Sequence, residues 1–553
     1  MKYLISFSIT VILIAFYSKH FTNSFQFDDS HTIVENMAIR SVGNIPDFFI
    51  DATTFSSLPR NQSYRPLVTT KLAIDYWLGN NDITSDQINP VPFHITSFLI
   101  FLIQLWGMYL LFEKILSFSY GANASKLFSL AAVLLYGFHA AIAETLNYII
   151  SCSEIMVTMF IVYSLYFFLR YRENNHRYNL IISYFFLLFG LLTKEIALVT
   201  FILVFLVETI FVKNIPLLSL FVGTKKSNSL YKSIKVAAPY FIISVLFFVL
   251  SKMLAPQWQS GGESAIDYML TQFFIISHYI FTFFAPFNLS ADSDFELIRN
   301  FSDARILLGI FFIGFLLYWS FKFSSDKLKR NFSFGMFWFF VTLAPTSSIL
   351  PLAEVQNDHR IYTPYVGLAF AVVVIVFDYL GQLFASKKLS QLQINLLILA
   401  FLALILSHGF GARARTEVWS SSDALWYDVT IKSPGNGRGL MNYGLSQMEK
   451  GNYDKALEYY NKAIVYVPYY STLHINMAIL HGALKNSELA EEHFKKAIRY
   501  EPRNPSSYYF YGRWLSNIGR LDEALTNVDK SLSLSPNYID ALNLKSKLLK
   551  LIN

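Results

Sequence analysis

Long apolar segments separated by polar gaps of varied length run from the first residues of the chain to about residue 409. A helix that crosses a bilayer needs about 20 mostly apolar residues, and these segments reach or approach that length. The pattern therefore predicts an all-α, polytopic membrane domain with about eleven transmembrane helices. The segments lie at 3–17, 95–112, 127–146, 155–170, 179–193, 196–212, 236–254, 304–321, 333–350, 362–384 and 391–409.

Basic residues collect in alternate gaps between these segments. Examples are Lys114 with Lys126, Arg170 with Arg172 and Arg177, and Lys322 with Lys327, Lys329 and Arg330. The positive-inside rule makes such gaps cytoplasmic. The polar loop at 20–94 and the C-terminal end of the chain then lie on the extracytoplasmic face.

Residues 268–287 are also apolar, but a crossing there would place the basic cluster at 322–330 outside. We therefore expect this segment to be re-entrant or to lie in the outer interface. The alternative is an ordinary span that violates the charge rule locally.

Beyond residue 412 the chain becomes polar and periodic. A spacing of 34 residues recurs in two sets, Pro434, Pro468, Pro502 and Pro536, and Ala456, Ala490 and Ala524. This period is typical of tetratricopeptide repeats, whose stacked helix pairs form an α-solenoid with a concave groove. We predict a membrane domain at 1–412, a linker with a degenerate leading repeat at 413–436, and about three repeats at 437–553.

Composition supports the membrane class and narrows the chemistry. Only 15% of the residues are charged, whereas soluble domains carry about 25%. The net charge of +7 does not indicate nucleic-acid binding, because the basic residues lie beside apolar segments. The single cysteine, Cys152, excludes an intrachain disulfide and a Cys-rich zinc site. No P-loop, G-x-G-x-x-G or H-E-x-x-H motif occurs, so nucleotide-driven chemistry is not expected.

Ionisable residues concentrate on the predicted extracytoplasmic face, and such residues near a membrane are costly and usually functional. Each alone could be a turn, a helix cap or an interfacial anchor. Together, their carboxylates and cations suit a phosphorylated ligand with a lipid tail, because Arg offers a fork and Lys a point charge to phosphate. The set comprises Asp28, Asp29, Arg65, Lys71, His139, Glu144, Lys194, Glu195, Asp358, His359 and Arg360.

The adjacent carboxylates Asp28 and Asp29 follow the first apolar segment by about ten residues. Such a pair can cap a turn, bind a divalent cation or act as a general base. An isolated pair is more often simply solvated.

The order of these motifs along the chain resembles the GT-C superfamily of integral-membrane glycosyltransferases. The resemblance is closest to the transmembrane and tetratricopeptide-repeat containing O-mannosyltransferases and their bacterial relatives, and it covers nearly the whole chain. It rests on Asp28-Asp29, Tyr64-Arg65-Pro66-Leu67, Pro92-Phe93-His94, His139 to Glu144, Thr193-Lys194-Glu195, His359 to Pro364, and Trp419 with Trp426. The Arg-x-acid triplet of such proteins is Cys152-Ser153-Glu154 here, so its arginine is absent.

The resemblance implies an inverting hexosyltransferase that uses a dolichyl- or polyprenyl-phosphate sugar, such as mannose, and glycosylates Ser and Thr hydroxyls of an acceptor protein. It implies catalytic roles for Asp28 and Asp29, and donor-phosphate contacts for Arg360, Lys194 and Arg65. Further site candidates are His94, His139, Glu144, Glu195, Asp358, His359 and Tyr362. The repeats would hold the acceptor. No cofactor is certain, and a divalent cation (Mg or Mn) would bind Asp28 and Asp29 if one is used.

Other functions fit parts of the same pattern. A GT-C transferase could act on a lipid or glycan acceptor, with the repeats docking partners. A non-catalytic membrane scaffold would use the repeats alone and would tolerate loss of Asp28 and Asp29. A transporter would place its ionisable residues near mid-membrane, whereas here they gather at one surface. The abundance of Phe, Ile, Asn and Lys favours a bacterial inner membrane with periplasmic repeats; in a eukaryote the repeats would be luminal, in the endoplasmic reticulum.

Overall fold

The computed structural model describes residues 2–81, 88–220, 227–255, 264–348, 351–352, 354–536 and 538–552. Within these ranges every regular element is a helix, which confirms the predicted all-α class. The chain divides into two compact units, Met1–Leu289 with Phe295–Ser421, and Ser290–Asp294 with Ser422–Asn553. The boundary predicted at residue 412 lies inside a helix that continues to Val418.

The first unit is built from fifteen α helices in the described part of the chain. They are α1 (Lys2–Phe16), α2 (Ile45–Phe48), α3 (Pro66–Leu78), α4 (Val91–Leu116), α5 (Ala122–Phe138), α6 (Ala143–Asn147), α7 (Cys152–Asn174), α8 (Arg177–Leu191), α9 (Thr200–Val207), α10 (Ser227–Leu254), α11 (Ala265–Phe284), α12 (Ala304–Phe323), α13 (Arg330–Leu343), α14 (Tyr362–Ala385) and α15 (Gln391–Val418).

Seven helical segments among the described residues are long and apolar enough to cross a membrane. They are Val91–Leu116, Ile149–Asn174, Glu195–Val212, Leu230–Leu254, Ala304–Phe323, Asp358–Ala385 and Gln391–Val418. An eighth is formed by α5 and α6 if this pair, bent by 54°, is one span. These helices support a multi-pass membrane protein. The count of eleven stays a prediction, because α1, α8 and α13 are only 14 or 15 residues long.

The segment at 268–287 falls almost entirely within α11, a helix of 20 residues without an internal break. Ser264 caps its N-terminus by accepting the N–H of Asp267. Placement of α11 in the outer interface stays a prediction. Tyr268, Gln272 and Tyr279 of α11 form hydrogen bonds with the segment that leads into α14.

Close packing of α13 on α14 fixes the start of α14, where several predicted site residues lie. A methyl group added at Gly335 or Gly367 would overlap the other residue's carbonyl oxygen, so the two backbones meet without side chains between them. The buried Trp338 donates its indole N–H to the carbonyl oxygen of Thr363 over 2.9 Å. The chain just before α14 therefore has a rigid support.

The second unit contains α16 (Ser422–Lys432), α17 (Gly437–Glu449), α18 (Tyr453–Tyr466), α19 (Ser471–Ala483), α20 (Ser487–Tyr500), α21 (Pro505–Asn517), α22 (Leu521–Leu534) and α23 (Ile539–Ile552). The alanines of the 34-residue period, Ala456, Ala490 and Ala524, are completely buried in the second helix of successive pairs. Their small side chains let the paired helices approach closely, which confirms the predicted repeats.

The short segment Ser290–Asp294 belongs to this second unit although it is distant in sequence. Asp292 forms an ion pair with Arg438, with 2.7 Å between Oδ2 and Nε, and Asp294 accepts the N–H of Gly435 over 3.1 Å. The predicted repeat domain at 437–553 is thus extended by α16 and by this segment.

Candidate functional site

The acidic pair lies in a tight turn between a 3₁₀ helix (Ser18–Thr22) and a π-helical turn (Ser30–Val34). Phe27, which precedes the pair, has φ +47°, a left-handed conformation that is uncommon for a bulky residue. Such a backbone costs about 1–3 kcal/mol and persists where the surroundings hold it. The turn is therefore strained next to the candidate catalytic carboxylates.

Asp29 points into the protein and is completely buried. Its Oδ2 accepts the N–H of Gln26 at 3.0 Å, and its Oδ1 accepts the N–H of Ile150 at 2.9 Å. Burial raises the pKa of Asp29 to about 7, although these N–H donors favour the ionised form. Asp29 therefore links the turn to the segment before α7 and cannot reach a substrate in this conformation.

Asp28 points outward, and 57% of its side chain is exposed. Its Oδ1 lies 3.3 Å from Nε2 of His31, which orients the carboxylate from the π-helical turn. Its backbone N–H donates to the hydroxyl of Tyr148 over 3.1 Å. Of the two predicted catalytic residues, Asp28 alone has the exposure that a general base requires.

Two cations predicted to contact the donor phosphate are held by carboxylates. Nζ of Lys194 lies 2.6 Å from Oε1 of Glu154, a buried side chain of α7. Arg65, at the N-terminus of α3, pairs with the more exposed Glu195 at 3.1 Å. A phosphate that bound here would share these cations with Glu154 and Glu195.

The third cation, Arg360, is held by α11 and by the segment before α14. Its guanidinium donates to the hydroxyl of Tyr268 at 3.4 Å and to the carbonyl oxygen of Glu354 at 2.9 Å. The hydroxyl of Tyr279 both accepts the N–H of Asn357 and donates to its carbonyl oxygen, each over 3.0 Å. In this way α11 fixes the position of Arg360.

The acidic turn and the cationic residues meet at Tyr148 and His359, whose rings lie 6.4 Å apart. Tyr148 interacts electrostatically with Asp28, Asp29 and Glu354. His359 interacts with Lys194, Arg360, Glu354 and Glu154. The structure thus brings Asp28, Asp29, Lys194, His359 and Arg360 together around these two rings.

The other predicted site residues have structural roles in this conformation. His94 contacts the carbonyl oxygen of Asn23 at 3.0 Å, and His139, at the bend between α5 and α6, contacts that of Phe283 at 2.9 Å. Tyr362 is completely buried and donates to Gln104 over 2.7 Å.

Two carboxylates of the predicted set are likewise buried. Asp358 accepts from Gln356 over 2.8 Å, and Glu144 lies 3.6 Å from Arg415. All five residues are thus buried and held by contacts inside the protein.

Profiles of the tetratricopeptide repeat match residues 437–470 and 475–539. The chain is 22% identical to protein O-mannosyl-transferase TMTC3 of Mus musculus in an alignment that covers 96% of it. It is 22% identical to TMTC4 of Homo sapiens over 81% of its length. The predicted resemblance to this group of O-mannosyltransferases is confirmed. The chain spans 60% and 64% of the lengths of these two relatives.

Among solved structures, the Arabidopsis OM64 tetratricopeptide domain is similar to part of the chain. It is 23% identical, the match covers 21% of this chain and 95% of that domain, and the TM-score is 0.20.

Several residues at the site are not among the sequence candidates. Tyr148 lies four residues after Glu144, and Glu154 occupies the acidic position of the triplet that lacks its arginine. Lys71 of α3, which the sequence placed among the ionisable residues of the first loop without a role, is buried and interacts electrostatically with Asp29 and Cys152. The only sequence signal for Tyr148 was its proximity to the motif at 139–144. The approach of Lys71 to Asp29 depends on the tertiary fold, so no local pattern indicates it.

The acidic pair does not fit a divalent cation. Both oxygens of Asp29 accept backbone N–H groups in a fully buried position, so Asp28 and Asp29 cannot present their carboxylates to one ion. Within the described residues no group of three or more His, Cys, Asp or Glu side chains is placed to hold a metal. We therefore derive no step through a metal ion.

Proposed function

We propose that this protein is a membrane glycosyltransferase that moves a hexose, such as mannose, from a polyprenyl-phosphate donor to Ser or Thr hydroxyls of an acceptor protein. The observation that carries the proposal is the position of an exposed carboxylate, Asp28, in the same site as Lys194, His359 and Arg360. The similarity to protein O-mannosyl-transferases over most of the chain supports the same reaction.

In the proposed reaction, Asp28 accepts the proton of the acceptor hydroxyl. The hydroxyl oxygen forms a bond to the anomeric carbon of the sugar while the bond from that carbon to the phosphate oxygen breaks. The electron pair leaves on the polyprenyl phosphate, and attack opposite the leaving group inverts the configuration. A positioned base of this kind contributes roughly 10²–10⁴ in rate.

Asp29 supports this role of Asp28 because its own pKa is raised to about 7 by burial. Near neutral pH it is therefore only partly ionised, and Asp28 does not face a full second negative charge. Asp28, the exposed member of the pair, is the carboxylate that an acceptor hydroxyl can reach.

The cations act on the leaving group. Phosphate leaves without protonation if its charge is stabilised. Arg360, held by α11, and Lys194, at the junction of α8 with α9, supply fixed positive charge for this. The ion pair between Lys194 and Glu154 keeps the lysine in place before the donor binds.

The repeats would hold the acceptor polypeptide in their concave groove, on the extracytoplasmic side of the membrane. In a bacterium this side is the periplasm.

The direct test supplies the purified protein with polyprenyl-phosphate hexoses and an extracytoplasmic acceptor protein, with nucleotide sugars as the comparison donors. We expect a hexose mass increase on Ser or Thr of the acceptor only with the lipid donor. Product on lipid would favour a lipid-acceptor transferase. No consumption of any donor by folded protein would favour the scaffold.

A further inference from the structure

Three aromatic residues surround the strained acidic turn. The ring of Phe27 lies 5.7 Å from that of Tyr148 and 5.8 Å from that of Trp419, and Tyr148 stacks on Trp419 at 5.5 Å. Tyr148 and Trp419 are 7% and 1% exposed. The indole N–H of Trp419 has no acceptor among the described residues, so Trp419 acts through its ring.

The segment Tyr148–Ile150 holds both members of the acidic pair. The hydroxyl of Tyr148 accepts the N–H of Asp28, and the N–H of Ile150 donates to the carboxylate of Asp29. One short segment thus sets the backbone of the outward residue and the side chain of the inward one.

The left-handed backbone of Phe27 determines which way the pair faces. Relaxation of φ from +47° to the right-handed region would redirect the chain at Asp28, while Asp29 remains tied to Ile150. Strain of this kind persists at functional sites where neighbouring groups over-determine the conformation. Packing of the Phe27 ring against Tyr148 and Trp419 supplies that constraint.

We propose that Tyr148 and Trp419 are positioning residues that clamp Phe27 in its left-handed conformation and thereby direct the Asp28 carboxylate outward, toward the acceptor hydroxyl. The inference rests on the proposed function in one respect, the role of Asp28 as the base. The geometry of the clamp itself does not depend on that role.

Conservative variants separate the hydroxyl from the rings. Tyr148→Phe removes only the acceptor of the Asp28 N–H, and we expect kcat to fall about tenfold with the KM for the donor unchanged. Trp419→Ala should lower kcat by about tenfold or more, whereas Trp419→Phe keeps a ring and should stay within about twofold of wild type. Tyr163→Phe and Trp106→Ala, both remote from the turn, serve as matched controls and should behave as wild type.

Hydrogen exchange of the peptide covering residues 24–36 in the full-length protein provides a second readout that does not require turnover. Exchange at the Asp28 amide should rise in Tyr148→Phe and Trp419→Ala and stay at the wild-type level in Trp419→Phe and both controls. Unchanged exchange in Tyr148→Phe and Trp419→Ala overturns the clamp, whatever the activity. Raised exchange with unchanged kcat overturns its role in positioning Asp28.

Failure of the proposed function and failure of the clamp give different results. If wild type transfers no sugar from any donor, the proposed function fails, and exchange alone decides whether the clamp holds the turn. If wild type is active, the variants decide. Trp419→Ala that raises the donor KM as much as it lowers kcat, with Trp419→Phe equally impaired, indicates general damage to the protein and contradicts the inference.

Discussion

Neighbouring residues of identical chemistry have opposite environments in the acidic turn. Asp28 is largely exposed and paired with His31, whereas Asp29 is buried and accepts two backbone N–H groups. The difference follows from the left-handed Phe27 and from the contacts of Tyr148 and Ile150. A reaction that needs one base thus has one accessible carboxylate and one that builds the turn.

The buried Asp29 makes stability depend on pH. Because its folded-state pKa of about 7 exceeds the ordinary value of 3.8, its contribution is fully present below pH 4 and is lost as pH rises through 7. We expect unfolding of wild type to become easier from pH 5 to pH 8, by at most about 1.4 kcal/mol per pH unit from this group. Asp29→Asn should lack that component. Parallel pH profiles of thermal unfolding for the two proteins would contradict the assignment.

The candidate site could be predicted from the sequence only in part. The motifs identified Asp28, Asp29, Lys194 and Arg360, but two adjacent aspartates carry no signal that distinguishes inside from outside. That distinction depends on contacts with Tyr148 and Ile150, more than 100 positions away in the chain.

At the scale of elements, short junctions rather than helix centres carry the site. Four junctions each supply one part of the candidate site: the turn before the π-helical residues, the segment before α7, the junction of α8 with α9 and the segment before α14. Helix α11 fixes the last of these through Tyr268, Tyr279 and Gln272, whose amide donates to the carbonyl oxygen of Val355 over 3.0 Å.

The junction between α8 and α9 yields a prediction about donor binding. Lys194→Gln removes the charge offered to the phosphate, so the donor KM should rise by about tenfold while the acceptor KM changes little. Glu154→Gln keeps a side-chain oxygen that accepts from Lys194 but removes the charge that competes with the phosphate, so it should not raise the donor KM. Lys126→Gln, remote from this site, is the matched control. Equal donor KM values in Lys194→Gln and wild type would rule out the phosphate contact.

Helices α19 and α20 of the repeats carry a stack of three histidines. Nδ1 atoms of His474 and His493 lie 2.9 Å apart, and the ring of His481 stacks on His493 at 5.5 Å. Burial lowers the pKa of all three histidines, that of His493 to about 4. The positive charge of Lys496 lowers the pKa of His474 and His493 further, whereas the negative charge of Glu492 opposes the shift in all three.

Since the unfolded histidines bind protons more readily, the stack's stability is fully present above about pH 6.5 and is lost as pH falls toward 4. Local opening of α19 and α20 in the full-length protein, followed by hydrogen exchange corrected for intrinsic rates, should increase over this range. His493→Gln should reduce the dependence, and the exposed His176→Gln should not. Opening that is independent of pH in wild type would exclude coupled protonation of the stack.

The whole chain combines a multi-pass membrane unit with a repeat unit, and each unit has its own pattern in the sequence. The apolar segments and the 34-residue period predicted both architectures, because each is encoded by local repetition. The inclusion of Ser290–Asp294 in the repeat unit was not predictable, since Asp292 and Arg438 meet only through the fold.

Removal of residues 437–553 should separate acceptor use from donor use. We expect transfer to a full-length acceptor protein to fall by at least about tenfold, because the groove that orders the polypeptide is lost, while donor binding is retained. Arg438→Ala, which breaks the pair with Asp292, is a milder comparison. Undiminished transfer to the full-length acceptor after the deletion would show that the repeats do not present it.

The most direct test of Asp28 as the base compares the turnover number of Asp28→Asn with that of Asp47→Asn. Asp47 is an exposed aspartate of the same loop at 20–94, which is predicted to be extracytoplasmic. Both variants exchange a carboxylate for an amide of the same size. We expect Asp28→Asn to lose roughly 10²–10⁴ in sugar transfer to the acceptor protein at unchanged membrane expression, and Asp47→Asn to match wild type. Wild-type turnover in Asp28→Asn would exclude Asp28 as the general base and overturn the proposed mechanism.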